Sequence, residues 1–232
     1  MEGIPHLEVV KQYIENKETE SLMECLDILA PHAVPIGEGK NAEVLGLDEG
    51  RFKNVCMKRF HKNPELKCND LDMEVEFQNS VYELGVKTPL TFVHIKDTET
   101  KEQFILMERI HGPTIDDIVN GDTRIPENFN HKIFFEKLKG YLDVMHENNI
   151  HHRDLHEKNV MINEDGDPVI IDFGTACRAF SGDEFPYSGD VLMFNKATGR
   201  YEYTKGFFKD DKRMFTQLER RMLKFSKNAE AY

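Results

Sequence analysis

The sequence contains the stretch Ile150-His-His-Arg-Asp-Leu-His-Glu-Lys-Asn-Val-Met-Ile162. No other stretch of the sequence says as much about the fold of the protein. This stretch places Asp154 four residues before Lys158 and five residues before Asn159. A carboxylate in such a loop can accept or orient the proton of a hydroxyl group, and an ammonium group can neutralise a terminal phosphate. The amide oxygen of an asparagine can ligate a hard cation such as Mg²⁺. The loop is therefore predicted to hold three reactive side chains with separate chemical roles.

A second carboxylate follows this loop at the end of an apolar run. The run Val169-Ile-Ile-Asp-Phe-Gly174 begins eight residues past Met161 and places Asp172 at the end of a predicted strand. Such a carboxylate suits the hard cation that bridges nucleotide phosphates, so Asp172 and Asn159 are predicted to bind Mg²⁺ or Mn²⁺. Each residue alone has an ordinary structural alternative as a turn, cap or strand-end residue. Their order and spacing together favour phosphoryl transfer.

Two features nearer the N-terminus fit the same chemistry. The stretch Gly37-Glu-Gly-Lys-Asn-Ala-Glu-Val44 lies between two predicted strands, and glycines there allow the backbone to approach phosphates. We therefore expect Gly37 and Gly39 to contact the nucleotide. Lys58 lies within an apolar strand, at a distance after the glycines that suits contact with the α- and β-phosphates.

An acidic residue is expected to hold this lysine in place. Glu74 and Glu76 are both available on the next predicted helix, residues 70–84. Glu74 is the preferred partner of Lys58, because Phe77 then packs on the same side of the helix. Glu76 stays the alternative.

The pattern of the whole chain predicts an α+β organisation, with strands first and helices later. It divides near residue 110, without a linker long enough to separate independent domains. The predicted elements are helices at 5–30, strands within 34–60, a helix at 70–84, strands at 90–95 and 103–109, helices at 114–120 and 130–148, strands at 160–162 and 169–171, a β-hairpin at 190–204, and a final helix opened by Asp210 or Asp211.

Taken together, these motifs resemble those of the protein-kinase superfamily. The pattern H-R-D-x-x-x-x-N is matched from His152 to Asn159, and D-F-G is matched by Asp172-Phe-Gly174. The pattern V-A-I-K is matched by Val55-Cys-Met-Lys58. The resemblance implies a two-lobed fold, with an antiparallel β-sheet in the N-lobe and a truncated, mainly helical C-lobe.

The resemblance also implies domain boundaries and an ATP site. An N-terminal helical extension would occupy residues 1–31, the N-lobe 32–110 and the C-lobe 111–232. ATP would bind between the lobes, with Met107 as the gatekeeper residue. The other residues implied to contact adenine are Glu108 and Ile110 through their backbone, and Val44, Cys56 and Met161 through their side chains.

Several features depart from the usual kinase pattern. No Ala-Pro-Glu follows Gly174, and few residues remain for a full helical lobe. His156 replaces the lysine that is typical of Ser/Thr kinases. The brevity is similar to RIO-type and other minimal microbial kinases, and the segment from Asp154 to Asn159 is also similar to aminoglycoside and choline kinases.

The main hypothesis is an ATP- and Mg²⁺-dependent protein Ser/Thr kinase, including one that phosphorylates itself. The first alternative is a small-molecule kinase of the aminoglycoside or choline type, although the short C-lobe leaves little room for its acceptor pocket. The second is a non-catalytic nucleotide-binding scaffold, which would not need Asp154. A protein substrate is expected, and a truncated lobe also suggests an activating protein partner.

The region after Gly174 leads to three further expectations. The hairpin at 190–204 is predicted to replace the usual substrate-docking elements. Asp210 or Asp211 is predicted to brace the backbone of the catalytic loop. Arg153 is a candidate contact for a phosphate group added to the segment after Gly174, which would regulate activity. The missing Ala-Pro-Glu argues against such regulation. The candidate phosphorylation sites are Thr175, Ser181, Tyr187 and Ser188.

Composition excludes several other classes of protein. A formal net charge of -12 argues against a nucleic-acid-binding protein. No apolar run approaches the roughly 20 residues that cross a bilayer, and the start lacks the pattern of a secretory signal. The four cysteines form no C-x-x-C pair, and the histidines from His151 to His156 lack an H-E-x-x-H arrangement, so zinc is not expected there. We expect a cytoplasmic protein, with leaderless export as a bacterial effector as the alternative.

Overall fold

The computed structural model describes residues 33–39, 41–47, 53–61, 71–96, 102–178, 190–195, 200–205 and 211–229. The helices predicted at residues 5–30 lie outside these ranges. So do Ser181, Tyr187, Ser188 and Asp210. The predicted domain boundaries, including the extension at 1–31, stay predictions.

The first part of the chain forms an antiparallel sheet of five strands in the order β1-β2-β3-β5-β4. The helix α1 lies between β3 and β4 in the sequence and packs against β4 and β5. The elements are β1 (Ala33–Glu38), β2 (Ala42–Leu47), β3 (Val55–Phe60), α1 (Leu71–Glu83), β4 (Thr91–Lys96) and β5 (Gln103–Glu108).

The alternation of side chains along β3 determines which way its lysine faces. Val55 and Met57 belong to an apolar cluster on one face of the sheet. Phe60 packs in a different cluster with Leu71 of α1. Because successive side chains of a strand point to opposite faces, Lys58 shares the α1 face with Phe60.

The second part of the chain is mainly helical, with short antiparallel strand pairs. The pairs are β6 with β9, β7 with β8, and β10 with β11. The elements are α2 (Ile115–Val119), α3 (His131–Glu147), β6 (Ile150–His151), a 3₁₀ turn (Glu157–Asn159), β7 (Val160–Ile162), β8 (Pro168–Ile170), β9 (Cys177–Arg178), β10 (Asp190–Asn195), β11 (Arg200–Lys205) and α4 (Asp211–Ala229).

The core of this second part lies between α3 and α4. Phe134, Leu138 and Met145 recur on one stripe of α3 and are fully buried. They share one apolar cluster with Leu218 and Met222 of α4. The same cluster contains two residues of α1 and residues on both sides of the catalytic-loop motif, so it links both parts of the chain to the functional loop.

The structure confirms the predicted α+β fold with two lobes. Every predicted helix and strand within the described residues is present, and its ends differ from the prediction by no more than one residue. The predicted hairpin is present as the antiparallel pair β10 and β11. Among the described residues, no helix combines the length and apolar character needed to cross a membrane.

Substitution of Gly112 tests the backbone conformation of the segment that joins β5 to α2. Gly112 has φ +142°, and a Cβ atom there would lie 1.9 Å from the carbonyl oxygen of Ile162. We expect Gly112→Ala to lower the free energy of unfolding in urea by at least about 2 kcal/mol, because a backbone atom must move. In the matched control Gly140→Ala, nothing lies within 4 Å of the added Cβ on α3. That variant should gain about 0.5–1 kcal/mol, and equal stability of the two variants would contradict the fold.

Candidate active site

Lys58 connects three separate elements. Its Nζ atom lies 2.5 Å from Oε1 of Glu74 on α1 and 3.0 Å from Oδ1 of Asp172, which follows β8. The side chains of Lys58 and Glu74 are 12% and 2% exposed, whereas that of Asp172 is 48% exposed. Glu76, the alternative partner, is exposed and lies 3.4 Å from Arg178 instead. The structure therefore pairs Lys58 with Glu74.

The charges of Lys58 and Asp172 stabilise each other. Burial disfavours the charged form of Lys58, but Glu74 and Asp172 raise its pKa above the ordinary lysine value. Burial acts to raise the pKa of Asp172, but Lys58 and the Gly174 N–H outweigh it, and this pKa lies below its ordinary value. Burial also raises the pKa of Glu74, and the Lys58 ammonium opposes that effect. Lys58 is therefore a cation and Asp172 an anion at neutral pH.

The predicted catalytic loop is hydrogen-bonded to the segment that carries Asp172. His152 is fully buried, and its Nε2 lies 3.0 Å from the carbonyl oxygen of Ile171. The Ile171 N–H donates to the carbonyl oxygen of Asn159 at 3.0 Å, and the Thr175 hydroxyl donates to that of His152 at 3.1 Å. These bonds hold the loop beside Asp172 at both of its ends.

The donor atoms of Asn159 and Asp172 fit a hard cation. The side-chain Nδ2 of Asn159 donates to the carbonyl oxygen of Asp154 at 2.9 Å, which leaves the amide oxygen as the ligating atom. Asp172 supplies carboxylate oxygens with a lowered pKa. Oxygen ligands of this kind are the ones that Mg²⁺ and Mn²⁺ prefer. The residues present therefore fit the metal that the sequence predicts.

A histidine, rather than a lysine, contacts the predicted catalytic aspartate. His156 Nε2 lies 3.4 Å from Oδ2 of Asp154. Lys158 is 70% exposed, and its Nζ lies 3.8 Å from Oδ2 of Asp116 on α2. In the sequence, His156 stands out only as a departure from the lysine pattern, and no role is predicted for it there. The phosphate-binding role of Lys158 stays a prediction.

A cavity of about 650 Å³ opens beside His156 and Lys158, between α2, the 3₁₀ turn and α4. It carries more cationic than anionic groups, in a chain that is acidic overall. Its lining residues are Asp116, His156, Glu157, Lys158, Met214, Gln217, Arg220 and Arg221.

The residues implied to contact phosphates lie in register on neighbouring strands. Gly37 pairs with Val44 across β1 and β2, and Val44 pairs with Lys58 across β2 and β3. The Gly39 N–H donates to the carbonyl oxygen of Ala42 at 2.8 Å and closes the turn between β1 and β2. The glycine turn and Lys58 are therefore joined through a continuous ladder.

The residues implied to contact adenine lie on β2, β3, β5 and β7, and just after the end of β5. Cys56 pairs with Met107 across β3 and β5, and burial raises the pKa of the Cys56 thiol to about 12. The Glu108 N–H donates to the carbonyl oxygen of Leu90 at 2.8 Å. Ile110 follows β5 and is half-buried, as is Met161 on β7. Their contacts with a nucleotide stay predictions.

Asp211, the first residue of α4, holds the start of the catalytic loop. Its two carboxylate oxygens accept the N–H groups of His152 at 2.9 Å and Arg153 at 2.8 Å. His146 Nε2 lies 3.1 Å from the same carboxylate. Burial acts to raise the pKa of Asp211, but these partners outweigh it and hold the pKa below its ordinary value. Of the two predicted bracing residues, Asp211 makes these contacts.

Two residues of the site have strained backbone conformations. Arg153 has φ 66° and Asp172 has φ 65°, in the left-handed region that residues with side chains rarely adopt. Such strain persists only where surrounding contacts fix the backbone, and it concentrates at functional sites. The bonds from Asp211 to the Arg153 N–H and from Lys58 to Asp172 supply that support.

Comparison with known proteins defines the class that this fold and site represent. The model of the protein kinase domain matches residues 32–204. The chain therefore belongs to the protein-kinase family.

The individual relatives have low sequence identity to this chain. A CBL-interacting serine/threonine-protein kinase 16 of Arabidopsis thaliana is 25% identical over 140 residues, covering 60% of this chain and 30% of the relative. The serine/threonine-protein kinase grp of Drosophila melanogaster is 27% identical over 177 residues, covering 74% and 32%. Mitogen-activated protein kinase kinase 1 of Arabidopsis thaliana is 35% identical over 127 residues, covering 43% and 36%. The chain spans about a third of the length of these relatives.

Replacement of the bracing carboxylate should destabilise the protein. We expect Asp211→Asn to lower the free energy of unfolding by about 1–3 kcal/mol, because an amide cannot accept both buried N–H groups and contact His146 with the same geometry. The measurement is urea unfolding at pH 7. The control Asp143→Asn removes an exposed pair with Lys139 and should cost no more than about 0.5 kcal/mol. Equal losses in the two variants would contradict the bracing role.

The loss of stability caused by Asp211→Asn should depend on pH. Because the folded-state pKa of Asp211 is lowered, its stabilising contribution is present above the ordinary aspartate pKa and is lost as pH falls through the lower folded value. The stability difference between wild type and Asp211→Asn should therefore narrow below about pH 4. Unfolding curves of both proteins measured from pH 7 to pH 3 test this. A stability difference that stays constant over this range would contradict the lowered pKa of Asp211.

Proposed function

We propose that this chain is an ATP- and Mg²⁺-dependent protein kinase that phosphorylates serine or threonine hydroxyls. The observation that carries the proposal is the bridge from Lys58 to both Glu74 and Asp172. A buried lysine held between two carboxylates has its charge fixed and its position fixed, as contact with nucleotide phosphates requires.

Each proposed role follows from the chemistry of the residue. Lys58 binds the α- and β-phosphates, and Glu74 positions Lys58. Asn159 and Asp172 hold the metal through oxygen atoms. The bound Mg²⁺ supplies charge neutralisation for the phosphates of ATP. Asp154 orients the acceptor hydroxyl and takes its proton.

The imidazole beside Asp154 shapes this last step. His156 Nε2 lies 3.4 Å from the Asp154 carboxylate, so it can hold that carboxylate in one orientation. Lys158, from the same loop, is proposed to contact the terminal phosphate when it leaves Asp116. The residues proposed to bind the rest of the nucleotide are Gly37, Gly39, Val44, Cys56, Met107, Glu108, Ile110 and Met161.

A protein acceptor is favoured over the alternatives. Two of the compared relatives are named serine/threonine-protein kinases, and a third is a kinase of protein kinases. A scaffold would not require the segments that carry Asp154, Asn159 and Asp172 to be held together by hydrogen bonds. Autophosphorylation and an activating protein partner belong to the same proposal.

The proposal is tested by incubation with γ-labelled ATP and Mg²⁺, alone and with one acidic and one basic protein acceptor. Both acceptors are included because the cavity beside His156 is lined by three lysine and arginine side chains. Asp154→Ala and Lys58→Ala should each reduce labelling by at least about 100-fold, since they remove the base and the phosphate-binding cation. Omission of the divalent cation should abolish labelling in the wild type.

Lys96→Ala is the matched control for the lysine variant. Lys96 also lies on a strand of the same sheet, and its Nζ lies 2.6 Å from Asp72, away from the site. This variant should label acceptors as the wild type does. A wild type that binds ATP but labels no protein would overturn the protein-kinase proposal and favour a small-molecule acceptor. Labelling that survives Asp154→Ala would remove Asp154 from the mechanism.

A further inference from the structure

Two imidazoles and a carboxylate meet behind the catalytic loop. They are His146 in the last turn of α3, His151 on β6 and Asp211 at the start of α4. One ligand atom from each residue lies within 4.8 Å of the others. The His146 and His151 rings are stacked, with centroids 4.6 Å apart and an interplanar angle of 21°.

We propose that His146, His151 and Asp211 form a binding site for Zn²⁺, separate from the Mg²⁺ site at Asn159 and Asp172. Two imidazole nitrogens and one carboxylate oxygen are a donor set that zinc prefers and that Mg²⁺ does not. Three protein ligands leave the fourth tetrahedral position to water.

The distances suit a small tetrahedral ion. Zinc binds imidazole nitrogen and carboxylate oxygen at about 2.0–2.2 Å, which places neighbouring ligand atoms about 3.4 Å apart. His146 Nε2 and Asp211 Oδ2 already lie 3.1 Å apart. The ligating nitrogen of His151 lies within 4.8 Å of these two atoms, and its ring must turn out of the stack to reach the same ion.

The three ligands lie largely inside the protein. Asp211 is 4% exposed and His151 is 7% exposed. His146 is more accessible, with a side chain that is 16% exposed, and provides the route of entry. Zinc binds the unprotonated Nε2 of a neutral imidazole whose proton lies on Nδ1, so the ion replaces the contact of His146 with Asp211.

Occupation of the site would act on the catalytic loop. Asp211 also accepts the N–H groups of His152 and Arg153, and His151 precedes His152 directly. An ion held by Asp211 and His151 therefore links α3, α4 and the loop that carries Asp154. The histidines considered from sequence spacing alone, His151 to His156, did not reveal this set.

The test uses the full chain after removal of metal by chelation. Titration with Co²⁺ should give the visible absorption of a tetrahedral ion at one equivalent per chain, and Zn²⁺ should displace it and raise Tm. His151→Gln and His146→Gln should each weaken affinity at least tenfold. The control His94→Gln should bind as the wild type does, because His94 has one carboxylate neighbour, Asp72 at 3.2 Å.

A second measurement does not depend on the folding of the variants. X-ray absorption at the zinc edge of the wild-type complex should show scattering from two imidazoles. A wild type that binds no ion would overturn the proposal. Binding that is unchanged in His151→Gln, or an absorption spectrum without imidazole scattering, would do the same.

Discussion

The contact of one lysine with two carboxylates is the interaction on which the site depends. Lys58 comes from the sheet, Glu74 from α1 and Asp172 from the loop after β8. A buried lysine without partners would lose its charge, and a buried glutamate would gain a proton. Lys58 and Asp172 therefore favour each other's charged forms, and the contacts of Lys58 with Glu74 and Asp172 fix how the sheet, the helix and the loop after β8 meet.

The catalytic loop is held from the opposite side by a second carboxylate. Asp211 accepts two backbone N–H groups from the loop, and the apolar core of α3 and α4 fixes its position. Between these two anchors the backbone adopts strained conformations at Arg153 and Asp172. The packing of the apolar core in the helical part thus offsets the cost of this strained backbone, which keeps the side chains of the site in one arrangement.

The sequence predicted the parts of the fold and site that depend on local pattern. The strands, helices and motif residues follow from periodicity and fixed spacing, and Glu74 followed from the face that Phe77 shares with it. Contacts between distant elements could not be predicted in this way. The contact of His146 with Asp211 depends on the packing of α3 against α4, which spacing along the chain does not encode. The contact of His156 with Asp154 is local, but it depends on the conformation of their loop, which the motif pattern does not specify.

The central claim is that the Lys58, Glu74 and Asp172 group forms a nucleotide site that works through a metal ion. Isothermal titration of ATP into wild type and Asp172→Asn, with and without Mg²⁺, tests it most directly. The account predicts that Mg²⁺ strengthens ATP binding to the wild type and that Asp172→Asn loses this dependence while it keeps its fold. Equal Mg²⁺ dependence in the two proteins would contradict it.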